Sequence, residues 1–499
     1  MNYTKKALKG IIVIFVSGIL INLFGYLTRI VLARNLNSSE YGLFYSVFTM
    51  FLFLMIFVDL GYNPTLIRYL AKFKSEGRVQ LIKGTIILIG IIELILASSI
   101  SVFLFFLSNS LAQTFFGFFD ASFLLKMFSF IIFFKGVINF LSAIFAGFQE
   151  MFLFGLFSFL DKFLFFLIIV FLLLMGFSKK AFLPSLAYLI TLIILLAIIF
   201  FLFFIRVLPF FGAGFDITKS LFLKLSKFAL FSIFTVVGSM IIGYIDTIML
   251  TYFRSFNEVG IYNTVLPTVL VLSYFGASIS TVFFPIVSEL WAKKDKTRIK
   301  WGINFLYKYS LLIVVPIALS LLSFPREILN VLFGPDYSDM GKLSMQILAI
   351  GVIFLTFNTI NNSILSGLGK PNKVTKIILL AASFNILTNI ILIPRFGMDG
   401  AALTTTLSYL IILLMSTGYV CKLIKLRKIF LLPWLKTITS GIVFVFIIYF
   451  LKIFFIFHFL IEAIICLLIA GTIYLVLTYL LRVWSFEEIM KTFKTAIKK

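Results

Sequence analysis

About fourteen long apolar runs are the feature that most constrains the fold of this chain. Each run holds about 20 or more mostly apolar residues, enough for one helix to cross about 30 Å of hydrocarbon. Backbone polar groups in lipid need internal partners, so runs without alternating polarity predict helices rather than barrel strands. We therefore predict an all-α integral membrane protein with spans at 8–33, 42–66, 81–107, 121–147, 151–176, 181–205, 221–252, 260–289, 302–324, 341–368, 373–394, 400–424, 434–457 and 459–481.

Composition excludes a water-soluble domain. The chain is 62% hydrophobic and 12% charged, whereas globular domains are about 45–50% apolar and about 25% charged. The net charge of +24 does not predict a nucleic-acid partner, because roughly thirty of the 43 Lys and Arg residues fall on alternate links between the runs. This bias predicts a multi-pass protein of the cytoplasmic membrane with both termini in the cytoplasm.

The chain also shows a weak internal repeat. The segment RIVLARNLNSSEYGLFYSV at the end of helix one resembles TIMLTYFRSFNEVGIYNTV at the end of helix seven, which aligns Gly42 with Gly260. The offset of about 220 residues indicates two six-helix lobes in parallel orientation. The longest link divides the first twelve runs equally. We predict lobes at 1–208 and 209–426, followed by two extra membrane helices and a cytoplasmic tail at 427–499.

Polar side chains within the runs are the candidates for function, because a charge at the bilayer centre costs about 2.5–3.5 kcal/mol on insertion scales. In helix one, Gly18, Asn22, Gly25 and Arg29 share one face. This face fits a cavity wall ending in a cationic anion clamp, or a packing seam ending in a snorkelling arginine. In helix seven, Asp246 follows a stripe of hydroxyls that favours a cavity wall.

Other ionisable groups leave two interpretations open. Asp59, close to Pro64, fits a cation or proton site, or a cap for a kinked helix. Glu93 and Lys135 fit a structural ion pair with each other, or else a proton relay and a lysine that faces an anionic substrate. Lys308 in helix nine has the same ambiguity.

Two further sets of polar side chains point less specifically to a function. The consecutive Asp161 and Lys162 in helix five fit either an ion pair or a substrate contact. Helix ten carries several amides, among them Asn358 and Asn361. Amides bind sugar hydroxyls but also join helices, and we favour the packing role.

Several absences narrow the class of protein. The chain has no G-x-x-x-x-G-K-[ST] loop, no H-E-x-x-H motif and no nucleophile motif. Cys421 and Cys466 lack metal-ligand spacing, and His458 is the only histidine. We therefore expect no enzymatic activity, no cofactor and no metal site.

Five sets of sequence strings, in this order and spacing, resemble the oligosaccharide flippase (polysaccharide transporter) family. This family lies within the multidrug/oligosaccharidyl-lipid/polysaccharide exporter superfamily. The strings span most of the chain: DLG and LIR at 59–61 and 66–68, IDTIML and EVGIY at 245–250 and 258–262, FPIVS at 284–288, EIL and FGPDY at 327–329 and 333–337, and GLGKP and GMDGAA at 367–371 and 397–402.

The resemblance implies two six-helix lobes around a central cavity, plus two C-terminal helices. It implies a flippase that moves a polyprenyl-pyrophosphate-linked oligosaccharide from the cytoplasmic to the external leaflet by alternating access. Expected partners are this lipid, membrane lipids, and glycosyltransferases or a polymerase of the same pathway. The expected roles are phosphate binding for Arg29 and Lys308, lining of the path for Asn22 and Asp246, and coupling or structure for Asp59, Glu93 and Lys135.

Three alternatives stay open from the sequence. A cation-coupled multidrug antiporter shares the architecture, but such proteins usually carry an acidic residue in helix one, and none occurs here. A peptidoglycan-precursor flippase shares the headgroup chemistry. A membrane polymerase or glycosyltransferase is more distant, because it would need a sizeable external loop.

Overall fold

The computed structural model describes residues 3–177, 180–207, 214–425, 431–454 and 459–485, and regular structure in these residues is entirely α-helical. The helices in chain order are α1 (Tyr3–Asn35), α2 (Ser38–Asp59), α3 (Tyr62–Ser75), α4 (Val79–Thr114), α5 (Ala121–Gly147), α6 (Met151–Leu174), α7 (Phe182–Arg206), α8 (Lys219–Phe253), α9 (Phe256–Leu270), α10 (Ser273–Ala292), α11 (Lys296–Ser323), α12 (Pro325–Phe333), α13 (Pro335–Gly367), α14 (Pro371–Ile424), α15 (Leu431–Phe454) and α16 (Phe459–Leu480).

The predicted number of spans is confirmed within the described residues. Thirteen helices are long and apolar enough to cross a membrane. One of them, α14, has 54 residues and contains Gly397 in a non-helical conformation, with φ 57° and ψ −135°. Because this glycine separates two membrane-length segments, the thirteen helices supply fourteen spans. The predicted span at 260–289 is divided into α9 and α10.

The chain packs as two compact units, Met1–Asn263 and Thr264–Lys499. The predicted lobe boundaries at 208–209 and 426–427 lie at or within gaps in the described residues. The division into two lobes and a C-terminal helix pair therefore stays a prediction. His458 and most of the predicted cytoplasmic tail also lie outside the described residues.

In the first unit, α5 packs against α2, α3, α4, α6 and α7. An aromatic cluster fixes α5 against α2 and α7, with ring centroids 5.5–6.2 Å apart. Its members are Phe44, Phe48, Phe51, Phe128 and Tyr188. Such edge-on ring contacts add to the burial of apolar area. This core fixes α5, which carries polar side chains next to α6.

The end of α2 differs from the predicted bend at Pro64. The helix stops at Asp59, and the next two residues, Leu60 and Gly61, have φ values of 43° and 81°. Pro64 lies in the first turn of α3, where a proline breaks no helical hydrogen bond. The Asn63 backbone N–H donates to Asp59 Oδ1 at 2.8 Å. Asp59 therefore accepts one backbone N–H from the first turn of α3, and its role in coupling or structure stays a prediction.

In the second unit, buried amides of α13 join neighbouring helices. Asn361 Nδ2 donates to the hydroxyls of Ser416 and Thr417 on α14, each at 2.9 Å. Tyr307 of α11 donates its hydroxyl hydrogen to Asn361 Oδ1. Asn358 Nδ2 donates to a backbone carbonyl of α14 at 2.9 Å. The packing role predicted for the helix-ten amides is confirmed for these two.

Candidate functional site

A cavity of about 430 Å³ lies inside the first unit. Its walls come from α1, the corner between α2 and α3, α5, α6 and α7. Among its lining residues are two carboxylates, Asp59 and Asp161. Its other polar lining includes Asn63, Lys135, Asn139, Ser142, Ser158 and Lys162. The other eight of its sixteen lining residues are apolar. The charged and hydrogen-bonding half of the lining is suited to a charged, hydroxyl-rich ligand.

Asp161 on α6 is the centre of the charges in this cavity. Its Oδ1 lies 3.1 Å from Lys135 Nζ of α5, and its Oδ2 lies 3.2 Å from Lys162 Nζ. The Asp161 side chain is only 8% exposed, against 18% for Lys135 and 32% for Lys162. Two ammonium groups therefore share one shielded carboxylate, and this group of three has a formal charge of +1.

The predicted ion pair between Glu93 and Lys135 is wrong. Lys135 pairs with Asp161, and both carboxylate oxygens of the buried Glu93 lack a hydrogen-bond partner among the described residues. The reason is the rotation of α5. Gly136 is the residue that faces α2 and α4, because a Cβ at this glycine would lie 3.0 Å from Val58 Cγ1 and 3.1 Å from the Cβ of Ala97. Lys135, the preceding residue, is thereby turned towards α6.

Arg29 on α1 contacts a backbone carbonyl and an aromatic ring. Its Nη1 donates to the backbone carbonyl of Asn263 at 2.8 Å, and the guanidinium lies 4.4 Å from the ring centroid of Tyr45. Such a cation–aromatic contact is favourable where water is excluded. No salt bridge joins Arg29 to a carboxylate in the part of the chain that the structure describes. Its role in phosphate binding stays a prediction.

Asn22 and Asp246 have partners within the first unit. Asn22 Nδ2 donates to the carbonyl of Gly18 at 2.8 Å, and Tyr262 donates its hydroxyl hydrogen to Asp246 Oδ2 at 2.7 Å. A Cβ at Gly18 or Gly25 would have no described heavy atom within 4 Å. The glycine face of α1 is therefore not a close-packed seam in this structure. The proposed lining roles of Asn22 and Asp246 stay predictions.

Lys308 lies on α11 in the second unit. Its Nζ is 5.2 Å from the ring centroid of Tyr309. The role of Lys308 in phosphate binding stays a prediction. Among the described residues there is no group of three or more His, Cys, Asp or Glu side chains that could hold a metal ion.

The sequence interpretation missed several cavity residues. Asn139 and Ser142 follow Lys135 by four and seven residues on α5. This spacing places all three on one helix face, so the signal was available.

The fold and the charged cavity define a polytopic membrane transporter. The model of the family described as "Polysaccharide biosynthesis protein" matches residues 7–291, and the MatE model matches residues 231–391. Since the first match covers more than half of the chain, this protein belongs to the polysaccharide biosynthesis protein family. This membership places it in the multidrug/oligosaccharidyl-lipid/polysaccharide superfamily, as the sequence strings predict.

Similarity to individual proteins supports this family assignment. The chain is 32% identical over 453 residues to the uncharacterised membrane protein MJ1068 of Methanocaldococcus jannaschii, covering 89% of each chain. It is 24% identical to the probable low-salt glycan biosynthesis flippase Agl15 of Haloferax volcanii, over 41% of this chain and 43% of that one. The fold is similar to that of the lipid II flippase MurJ in an inward closed conformation, with a TM-score of 0.75, 16% identity, and coverage of 94% and 98%.

Proposed function

We propose that this chain is a flippase that moves a polyprenyl-pyrophosphate-linked oligosaccharide from the cytoplasmic to the external leaflet. The transport serves the synthesis of a cell-surface polysaccharide or glycan and proceeds by alternating access. The observation that carries the proposal is the charged cavity inside a membrane-embedded helical unit, with Lys135 and Lys162 on its wall. The name of the relative Agl15, a probable glycan biosynthesis flippase, supports the same class of substrate.

The physical chemistry of the substrate matches this cavity. A diphosphate headgroup is anionic, its sugars carry many hydroxyls, and its prenyl tail is soluble in lipid. Moving the headgroup through hydrocarbon without partners would expose charges to a medium in which they are strongly unfavourable. The lysines offer charge-assisted hydrogen bonds to phosphate, and Asn139 and Ser142 offer neutral ones to hydroxyls. The prenyl tail needs no polar path and remains among the lipid chains.

The other candidate residues take complementary roles in this proposal. Arg29 and Lys308 add positive charge for phosphate, and Asn22 and Asp246 line the path. Asp59 and Glu93 serve coupling or structure. The chain lies in the cytoplasmic membrane with both termini inside, where glycosyltransferases or a polymerase of the same pathway would supply or use the lipid.

A transport assay tests the proposal directly. The purified protein is placed in inverted membrane vesicles that contain a fluorescent lipid-linked oligosaccharide, and the fraction reaching the far leaflet is measured. We expect transfer without new glycosidic bonds. Chain elongation would instead indicate a polymerase, and transport of cationic drugs without lipid transfer would indicate a multidrug antiporter. Either of these two results overturns the proposed function.

Arg29→Ala is expected to slow lipid transfer by roughly tenfold or more, the effect of losing one charge-assisted hydrogen bond. Membrane insertion is expected to be unchanged, because α1 stays apolar. The initial transfer rate in vesicles measures the effect. Arg34→Ala is the control, since Arg34 lies on the same helix and is exposed. A wild-type rate for Arg29→Ala would remove this residue from the site.

A further inference from the structure

We propose that Lys135, Asp161 and Lys162 form the phosphate-binding site for the substrate, here called the two-lysine site. This inference rests on the proposed function and locates the headgroup at named atoms. The ligand class is a phosphate or diphosphate group, whether attached to a lipid or free in solution. In this site both ammonium groups bind the ligand, while Asp161 holds them together when the ligand is absent.

The first argument is the excess charge. One lysine would neutralise Asp161 and complete a buried ion pair. The second lysine gives the group of three a formal charge of +1, and no salt bridge among the described residues joins it to Asp59, the other carboxylate of the cavity. Such a charge within a membrane-spanning unit needs water, a partner or a function. A purely structural pair explains Lys135 or Lys162 but not both. An incoming phosphate group supplies the missing negative charge.

The second argument is the geometry. Asp161 uses both carboxylate oxygens, one for each lysine, at 3.1 and 3.2 Å. Each ammonium has three N–H donors, so contact with Asp161 leaves further donors on each lysine. Both lysines line the cavity and are more exposed than Asp161. A ligand in the cavity therefore reaches the two cations while the carboxylate stays shielded.

Three other charged side chains of the first unit, Asp59, Glu93 and Arg29, are compatible with this site. Asp59 also lines the cavity, but its Oδ1 accepts the backbone N–H of Asn63 at the start of α3. Glu93 is buried in α4 and is not part of the cavity wall. Arg29 is not among the residues that line this cavity, and its Nη1 donates to the backbone carbonyl of Asn263. The two-lysine site is thus the cationic part of a cavity whose other lining residues are one carboxylate, Asp59, and neutral polar and apolar side chains.

Single substitutions of the lysines test the proposal without removing the whole ion pair. Lys135→Gln and Lys162→Gln each leave Asp161 with one lysine, so the remaining pair is neutral. We expect both variants to keep the wild-type unfolding temperature in detergent. We expect each to bind farnesyl diphosphate with a Kd raised roughly tenfold or more, since each loses one charge-assisted hydrogen bond. Titration calorimetry on the purified full chain measures the Kd.

A matched control variant and a comparison of two ligands show whether the change in Kd is specific to the two lysines and to phosphate. Lys126→Gln alters a lysine of the same helix, α5, that does not line the cavity, and it is expected to leave the Kd unchanged. Inorganic pyrophosphate is titrated alongside farnesyl diphosphate. If both bind with the same lysine dependence, phosphate itself is recognised. If only farnesyl diphosphate binds with lysine dependence, the site is assigned to a lipid-linked ligand.

Asp161→Asn is expected to change the Kd in the opposite direction from the two lysine variants. Removing a carboxylate that competes with phosphate for the same cations is expected to lower the Kd, whereas a purely structural Asp161 would give no tighter binding. If this variant does not fold, the lysine variants alone test the site.

Wild-type Kd values for both lysine variants, or no binding of either ligand by the wild type, overturn the two-lysine site. If the wild type transfers lipid but the two-lysine site fails these tests, the proposed function stands and only the site is wrong. If binding depends on the lysines but no lipid is transferred, the site stands and the proposed function is wrong.

Discussion

Replacing Gly42 with alanine is expected to abolish lipid transfer and to lower the free energy of unfolding by about 1–3 kcal/mol or more. Gly42 lies where α2 crosses α9. A Cβ at this position would be 1.8 Å from the carbonyl oxygen of Phe256 and 2.8 Å from the backbone nitrogen of Gly260. These atoms belong to the backbone and cannot rotate away, so the helices have to separate.

The contact is reciprocal, which strengthens the expectation. A Cβ at Gly260 would lie 2.2 Å from the carbonyl oxygen of Ser38, four residues before Gly42, just as Phe256 lies four residues before Gly260. The two aligned members of the internal repeat therefore pack on each other. In the proposed topology this crossing lies at the external end of α2, so separation of the helices would favour a state open to the outside.

Unfolding temperature in detergent and lipid transfer in vesicles measure the effect of Gly42→Ala. The control is Gly471→Ala in α16, because a Cβ at Gly471 meets no described atom within 4 Å. Both glycines are helical, so the change in helix propensity is the same. If Gly42→Ala behaved like Gly471→Ala in both assays, the close crossing would have no role in transport or stability.

Gly61→Ala is expected to be as damaging, but at the opposite end of α2. Gly61 has φ 81°, in the left-handed region, where an L side chain costs about 1–2 kcal/mol. Its Cβ would also lie 2.4 Å from the carbonyl oxygen of Ala229 on α8. The backbone strain and the clash add, so we expect a loss of about 2–5 kcal/mol in the free energy of unfolding. In the proposed topology this position is at the cytoplasmic end, so the variant favours a state open to the inside.

Gly77→Ala separates the two causes in this prediction. Gly77 has φ 69°, but a Cβ there would meet no described heavy atom within 4 Å. It therefore reports the cost of the backbone conformation alone. Differential scanning fluorimetry and the transfer assay are run on both variants. Equal unfolding temperatures and equal transfer rates for the two would show that the approach of Gly61 to α8 contributes nothing.

The spans were predictable from the sequence because hydrophobic length alone determines whether a helix crosses a bilayer. The repeat likewise aligned Gly42 with Gly260. The repeat shows that the two glycines are equivalent positions, but it does not show that they are in contact. An internal repeat does not indicate which of its equivalent helices touch. Pro64 predicts a bend near the proline, whereas the helix breaks earlier, at Leu60 and Gly61. A proline is the stronger signal in a sequence, but it fits the first turn of a helix without a bend.

The partner of Lys135 could not be predicted for a different reason. Which way a membrane helix turns a side chain depends on how its neighbours pack. Here Gly136 allows close packing against Ala97, and this contact rotates Lys135 away from Glu93 and towards Asp161. Ion pairs between helices depend on such rotations, so a sequence gives the candidate charges but not their pairing.

The central claim is that the cavity of the first unit is a hydrated chamber that receives the substrate headgroup. Cysteine labelling tests it most directly, in a background where Cys421 and Cys466 have been replaced. Ser142→Cys lines the cavity, and Ser129→Cys lies on the same helix with 1% exposure outside the cavity. In vesicles of either orientation, we predict that a membrane-impermeant maleimide labels position 142 but not position 129, and that farnesyl diphosphate protects it. A transport-active protein in which position 142 resists labelling from both sides would contradict the account.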